Sequence, residues 1–127
     1  MIGTSRAVRV FAYGEATDMR KGYEGLGAVV REKMGSDPLS GDLYLFTNSR
    51  RNRAKVLLYD GTGMAIYMKR LDVGRFACPW TRGDGGTLRL SMSELGLFLE
   101  GCELVFRRRL TPEPVTERRF QIEPVVE

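Results

Sequence analysis

From Arg6 to Tyr13 apolar Val8, Val10 and Ala12 alternate with Arg9, Phe11 and Tyr13, and Gly14 follows. A two-residue period of this kind predicts a strand. The period then lengthens: Tyr23, Leu26, Val30 and Met34 recur at three- and four-residue steps, with Val29 beside them. That spacing predicts a helix capped by Thr17 or Asp18, with Met19, Arg20 and Lys21 in its first turn and its body reaching Met34. Arg31, Glu32 and Lys33 fall on its outer side, so its apolar stripe needs a sheet to lie on. Gly22, Gly25 and Gly27 each weaken it by up to ~1 kcal/mol relative to alanine, while allowing a neighbour to come close. Gly35 and Asp37-Pro38 end it.

Three strand-like runs follow, Leu43 to Thr47, Ala54 to Tyr59 and Met64 to Leu71. The links Asn48–Arg53 and Asp60-Gly61-Thr62-Gly63 are too short for a parallel crossover, so the runs form an antiparallel meander. After a glycine-rich loop at 83–86 comes a short strand, Thr87 to Leu90. Ser91-Met92-Ser93-Glu94 reads as a capping box for a second helix, with Leu95, Phe98 and Leu99 as its apolar stripe and Gly101 as its stop. Glu103 to Arg107 is a candidate edge strand. Beyond Thr111, Pro112, Pro114 and Pro124 break every period. The fold class expected is α+β: a mostly antiparallel sheet, with a central three-strand meander, and two helices. Residues 1–110 would form one domain, and 111–127 a proline-rich tail that is flexible or docked on a partner.

Composition narrows what such a domain could do. At 127 residues, 43% hydrophobic and 28% charged, the chain fits one folded unit rather than two thin ones. No apolar run is long enough to span a bilayer and no leader pattern opens the chain, so the cytoplasm is the expected location. Histidine is absent. Ser-His-Asp and Cys-His nucleophile systems, histidine general bases and histidine-bearing zinc sites are therefore excluded. Cys78 and Cys102 form no CxxC pair and read as small buried hydrophobes. No cofactor or metal is called for.

Charge changes the picture more. The net charge is only +4, but residues 50–89 carry nine basic against three acidic side chains. Residues 1–49 cancel, and 90–127 sum to −2. Sixteen of the twenty cations are arginine, whose planar fork grips phosphate or carboxylate bidentately. Arg50, Arg51, Arg53 and Lys55 crowd one turn, where Asn48, Ser49 and Asn52 add neutral donors of the kind that contact phosphate. Lys69, Arg70 and Arg75 close the next strand and would return to the same end of the sheet. Such a loop could equally be a solubilising turn that discourages edge aggregation. Lys55 and Tyr59 share a strand face by parity, as do Tyr67 and Lys69, so lysine and tyrosine could alternate on one nucleic-acid-binding surface. Alternatively, Tyr44, Phe46, Leu57 and Tyr67 face the second helix as core. Asp18, Asp60 and Asp84, with Glu24 or Glu94, could be assembled into a magnesium site, but each aspartate also sits where a cap or turn wants one.

Several ordered motifs resemble a bacterial mobile-element family. They are Asp18-Met19-Arg20-Lys21-Gly22-Tyr23-Glu24-Gly25-Leu26, Asp37-Pro38-Leu39-Ser40-Gly41 before Leu43 and Phe46, Arg50-Arg51-Asn52-Arg53, Lys55-Val56-Leu57, Asp60–Gly63, Lys69-Arg70-Leu71, Gly74-Arg75-Phe76 and the stretch from Leu95 to Gly101. Together they are similar to the small accessory protein, often labelled TnpB, of the insertion sequence sixty-six group, over roughly residues 6–107. The family pattern has tryptophan directly before the proline where Cys78 precedes Pro79 here, so nothing is carried over to Trp80 or to the tail. The resemblance implies a non-enzymatic accessory factor for transposition, encoded beside a larger transposase that holds the catalytic acids.

The expected function is thus nucleic-acid binding, with DNA favoured over RNA, through Arg50, Arg51, Arg53, Lys55, Lys69, Arg70 and Arg75. Arg20 and Lys21 are secondary contacts. Expected partners are nucleic acid, the transposase and other element-encoded proteins. The alternatives are an adaptor whose basic face meets an acidic protein surface and, third, a metal-dependent nuclease.

Overall fold

A computed structural model describes residues 7–77 and 86–101. The elements run β1 (Val10–Tyr13), α1 (Tyr23–Glu32), β2 (Leu43–Thr47), β3 (Arg53–Tyr59), β4 (Met64–Arg70), β5 (Thr87–Leu90) and α2 (Met92–Leu99). The five strands form one sheet in the order β4-β3-β2-β1-β5. Pairings are antiparallel except that of β1 with β2. That pair brackets α1, a link long enough to return the chain parallel to itself. The α+β architecture expected from the sequence is the one observed. The candidate strand 103–107, the tail and Cys78, Trp80, Asp84 and Cys102 lie outside the described residues.

Both faces of the sheet are covered, which explains why β1 and β2 are apolar on both sides. Tyr13, Tyr44, Phe46 and Leu57 pack beneath Leu26 and Val30 of α1. On the opposite face Val10, Ala12, Leu45, Ala54 and Val56 meet Leu95 and Phe98 of α2 and Phe76 and Ala77. Phe76 stacks on Phe98 with ring centroids 4.9 Å apart, so the segment after β4 folds back as part of that second layer. Tyr44, Phe46 and Leu57 therefore lie under the first helix, not the second. Tyr67, grouped with them in the sequence reading, points to the α2 side and stays about half exposed.

The second helix starts as its sequence demands. Ser91 Oγ accepts from the Glu94 amide and the Glu94 carboxylate accepts from the Ser91 amide, a reciprocal cap that contributes about 1 kcal/mol. The first helix starts later than its periodicity suggests. Asp18 closes a turn, with Lys21 N–H donating to its carbonyl, and Thr17 N–H is bonded to Thr47 O beside the sheet. Gly22, in extended conformation, is then the N-cap. Met19, Arg20 and Lys21 thus belong to a turn, because backbone pairing to β2 holds the chain until residue 17. Gly14 accounts for another fixed point: a Cβ there would run into the Gly86 carbonyl, so β1 and the start of β5 close together only with glycine.

Candidate nucleic-acid interface

Antiparallel pairing brings the two cation runs to one end of the sheet. Arg53 is directly opposite Arg70, and Ala54 opposite Lys69. The Arg50–Arg53 turn is tied down from below: Phe76 N–H donates to Arg51 O at 2.6 Å and Leu71 N–H to Asn52 O at 2.9 Å. These bonds also bring Arg75 to the same end. Arg50, Arg51, Arg53, Lys69, Arg70 and Arg75 are thereby gathered from three chain segments.

The turn is built rather than loose. Asn48 Oδ1 accepts from the Asn52 and Arg53 amides, both at 3.0 Å, and Asn48 Nδ2 donates to Asn52 Oδ1 at 2.8 Å. The Asn48 side chain is therefore occupied in shaping the turn, as are the Asn52 amide and Oδ1, whereas Ser49 is exposed. Within this turn Arg51 has φ of 61°, the one non-glycine positive φ among the described residues. Such a backbone costs a non-glycine residue about 1 kcal/mol or more. The Asn48 bonds and the Phe76 tie hold it there.

Beside the turn lies a cleft of about 420 Å³, lined by Ala16 to Arg20 on one side and by Asn48, Ser49 and Arg53 on the other. Arg20 is not available in it as a free cation. Its Nε and Nη2 grip both oxygens of Asp18 at 2.8–3.2 Å, and its amide donates to Asp18 Oδ1. Arg20 accordingly holds the Asp18 carboxyl well below the usual carboxylate range. Lys55 reaches across to the start of α1, donating from Nζ to Lys21 O at 2.9 Å, so it fastens the turn before that helix. The Lys21 side chain is exposed. Arg70 has Asp72 at 4.0 Å, a contact too long and too exposed to neutralise it. Among the described residues, Arg50, Arg51, Arg53, Lys55, Lys69 and Arg75 have no carboxylate within ion-pair distance.

One expected arrangement is not formed. Lys55 opposes Met68 and Val56 opposes Tyr67, so Lys55 and Tyr59 lie on the α1 side of the sheet and Tyr67 and Lys69 on the other. Parity within each strand is as expected, but the register between strands separates the two pairs. No single Tyr-Lys surface results. A different aromatic-cation group does form: Arg9 and Arg89 both stand 5.5 Å from the centroid of the Phe11 ring, which stacks on Tyr44. Only the β1–β5 register, Phe11 opposite Arg89, brings it together. Of the candidate metal carboxylates, Asp60 is spent on its own turn, accepting from Thr62 N–H, Thr62 Oγ1–H and Gly63 N–H, which lower its pKa. Asp18, beside Asn48, and Asp60, beyond the far end of β3, lie at opposite ends of the sheet. Among the described residues no three acidic or thiol groups converge.

A sheet covered on both faces, with arginines collected at one end, describes a small α+β protein with a basic, partly preformed surface. Residues 8–109 match the family described as IS66 Orf2 like protein, and the chain belongs to that family. Membership points to an accessory role in transposition. Two relatives come from Sinorhizobium fredii. Uncharacterized protein y4hO is 35% identical over 81% of this chain and 88% of its own. Uncharacterized protein y4jC is 34% identical over 81% and 86%. No solved structure matches the chain. No helix among the described residues is long and apolar enough to cross a membrane.

Proposed function

We propose that the protein is a non-enzymatic, cytoplasmic accessory factor of transposition that holds DNA phosphates on the basic end of its sheet. The observation that carries this reading is the pairing of Arg53 with Arg70 beside the tied Arg50–Arg51 turn and its cleft. Two arginines directly across an antiparallel ladder repel each other, and stability alone disfavours them. An anion lying over the pair turns that cost into affinity. Arg50, Arg51, Arg53, Lys69, Arg70 and Arg75 supply the contacts, Lys21 flanks them, and Lys55 and Arg20 shape the neighbouring turn. The element's transposase is the expected protein partner.

The test is retention on random-sequence duplex DNA as salt is raised. Neutralising ~4–6 phosphates gives a slope of log K against log salt of roughly −4 to −5. A slope near zero would replace this reading with that of an adaptor binding an acidic protein. Incubation with Mg²⁺ or Mn²⁺ should leave DNA intact. Cleavage that co-purifies with the protein and disappears in Asp18→Asn would overturn the non-enzymatic assignment.

A further inference from the structure

Strand β4 ends the sheet on one side and pairs with β3 in unbroken register over its seven residues. Its other edge meets no strand among the described residues. Leu71 N–H turns inward to Asn52 O, so the alternate backbone groups of Arg70, Met68, Ile66 and Met64 turn outward. Tyr67 on the α2 side and Met68 on the α1 side stand about half exposed beside them. A long edge flanked by apolar side chains is one that native chains cover. The chain itself arrives at the foot of this edge. Gly101, with φ of 86°, closes α2, and a Cβ on it would stand 3.6 Å from Leu71 Cδ1.

We propose that residues 102–109, which lie beyond the described residues, cover the edge as a sixth strand antiparallel to β4. Direction follows from the point of departure, since a parallel strand would have to begin at Met64, ~20 Å away along β4. Register follows from the same contact. Continuing the ladder from Gly101 beside Leu71 sets Cys102 against Arg70, Glu103 against Lys69, Leu104 against Met68, Val105 against Tyr67 and Phe106 against Ile66. The residue types agree with it. Val105 covers Tyr67 on the α2 side, and Leu104 and Phe106 extend the row of Met68 and Ile66 on the α1 side. Glu103 answers Lys69 at one end of the ladder, and Arg108 and Arg109 arrive at the other, beside the turn that holds Asp60. The occupant of this surface is thus the chain's own continuation, and the edge is closed to a second molecule. The pairing stands independently of DNA binding; on the reading above, it leaves Arg53 and Arg70 to phosphate on the α1 side and carries Arg108 and Arg109 away from them.

The full-length chain supplies the test. Tyr67→Cys with Val105→Cys, in a chain with Cys78→Ser and Cys102→Ser, should oxidise to an intrachain disulfide in the monomer, because directly opposed Cα atoms lie ~4.5–5.5 Å apart. Tyr67→Cys with Phe106→Cys should not, since one step along a strand puts the two thiols on opposite faces. In the native chain the Met68 and Ile66 amides should resist hydrogen exchange. Leu104→Pro, which removes a ladder donor, should release them while the Val56 amide of β3 stays protected. Free exchange at Met68 and Ile66 in the native chain overturns the proposal, as does protection that survives Leu104→Pro. Failure of the Tyr67–Val105 pair to link overturns it independently, and so does equal linking of the Tyr67–Phe106 pair. A disulfide formed between chains at position 67 also overturns it, and assigns the edge to a second copy.

Discussion

The two ends of the sheet treat charge in opposite ways. Where β1 and β2 begin, Asp42 is almost wholly buried and fully answered. It accepts from the Arg9 amide at 3.0 Å, from the Arg9 guanidinium at 2.9 Å and from Ser40 Oγ at 3.2 Å. Ser40 in turn bonds the buried Tyr44 hydroxyl. Where β2 ends and β3 begins, arginines are exposed, mutually opposed and short of carboxylates. The first end answers its buried charge within the protein, which locks two strand starts together. At the second, satisfaction must come from solvent or a ligand. Stability and binding are thus separated in space, and variants at the two ends should fail in different ways.

The largest effect belongs to the buried end. Asp42→Ala leaves the Arg9 amide and Ser40 without their acceptor, and should lower stability by about 2–4 kcal/mol. Thermal melting should show it as a fall of roughly 10–20 °C. DNA retention measured where the variant is still folded should be unchanged. If Asp42→Ala weakens binding of folded protein, the two ends are coupled and the contrast fails.

The next effect is on binding alone. Arg53→Ala combined with Arg70→Ala should move stability by no more than about ±0.5 kcal/mol, since both side chains are exposed and repel each other. The salt slope should flatten by ~0.9 for each phosphate no longer neutralised, and transposition of a reporter element should drop. Arg→Lys at both positions distinguishes charge from the bidentate fork. Arg31→Ala, on the exposed side of α1, is the control and should change neither quantity.

A smaller effect concerns the turn itself. Arg51→Gly relieves the positive φ and should raise stability by about 0.5–1 kcal/mol, while removing one cation from the surface. A loss of stability in chemical denaturation would mean that the Arg51 side chain, not the Asn48 bonds, holds the turn.

The smallest effect sharpens the role of the cleft. Asp18→Asn frees Arg20, and if phosphates reach the cleft the salt slope should steepen by up to ~0.9. The same pair has a pH signature. Asp18 titrates lower in the folded chain than in the unfolded one, chiefly through the Arg20 side chain, and Asp60 is lowered by its turn. The unfolded chain therefore binds more protons in acid, so these contributions are present above about pH 4 and vanish as pH falls through the folded values. Thermal melts taken downward from about pH 5 should show Tm falling less steeply in Asp18→Asn than in the native chain.

Much of the fold is legible one segment at a time. The meander, the strand Thr87–Leu90, the Ser91–Glu94 cap and the Gly35 and Gly101 stops rest on periods of two and 3.6 residues and on local bonds within four positions. The gathering of the two cation runs is legible as well, because a short turn between antiparallel strands forces the return. The start of α1 is not: Thr17 pairs with Thr47, far along the chain, and that bond delays the helix past an otherwise good capping position. Asn48 reads as a ligand donor because nothing local shows that its amide closes the turn. Arg20 reads as free because the bidentate grip on Asp18 depends on the turn that stands in place of a first helical turn.

The sequence by itself determined most of the elements, the α+β class and the basic character of one stretch, since these follow from side-chain period, turn chemistry and connection length. Tertiary structure alone decided which helix covers which face and which side chains meet across strands distant in the chain. It set Phe11 opposite Arg89, and so placed Arg9 and Arg89 about one ring. The physical reason is the two-residue period of a strand: a shift of one position in register moves every side chain to the other face, and no local signal in either strand records that choice.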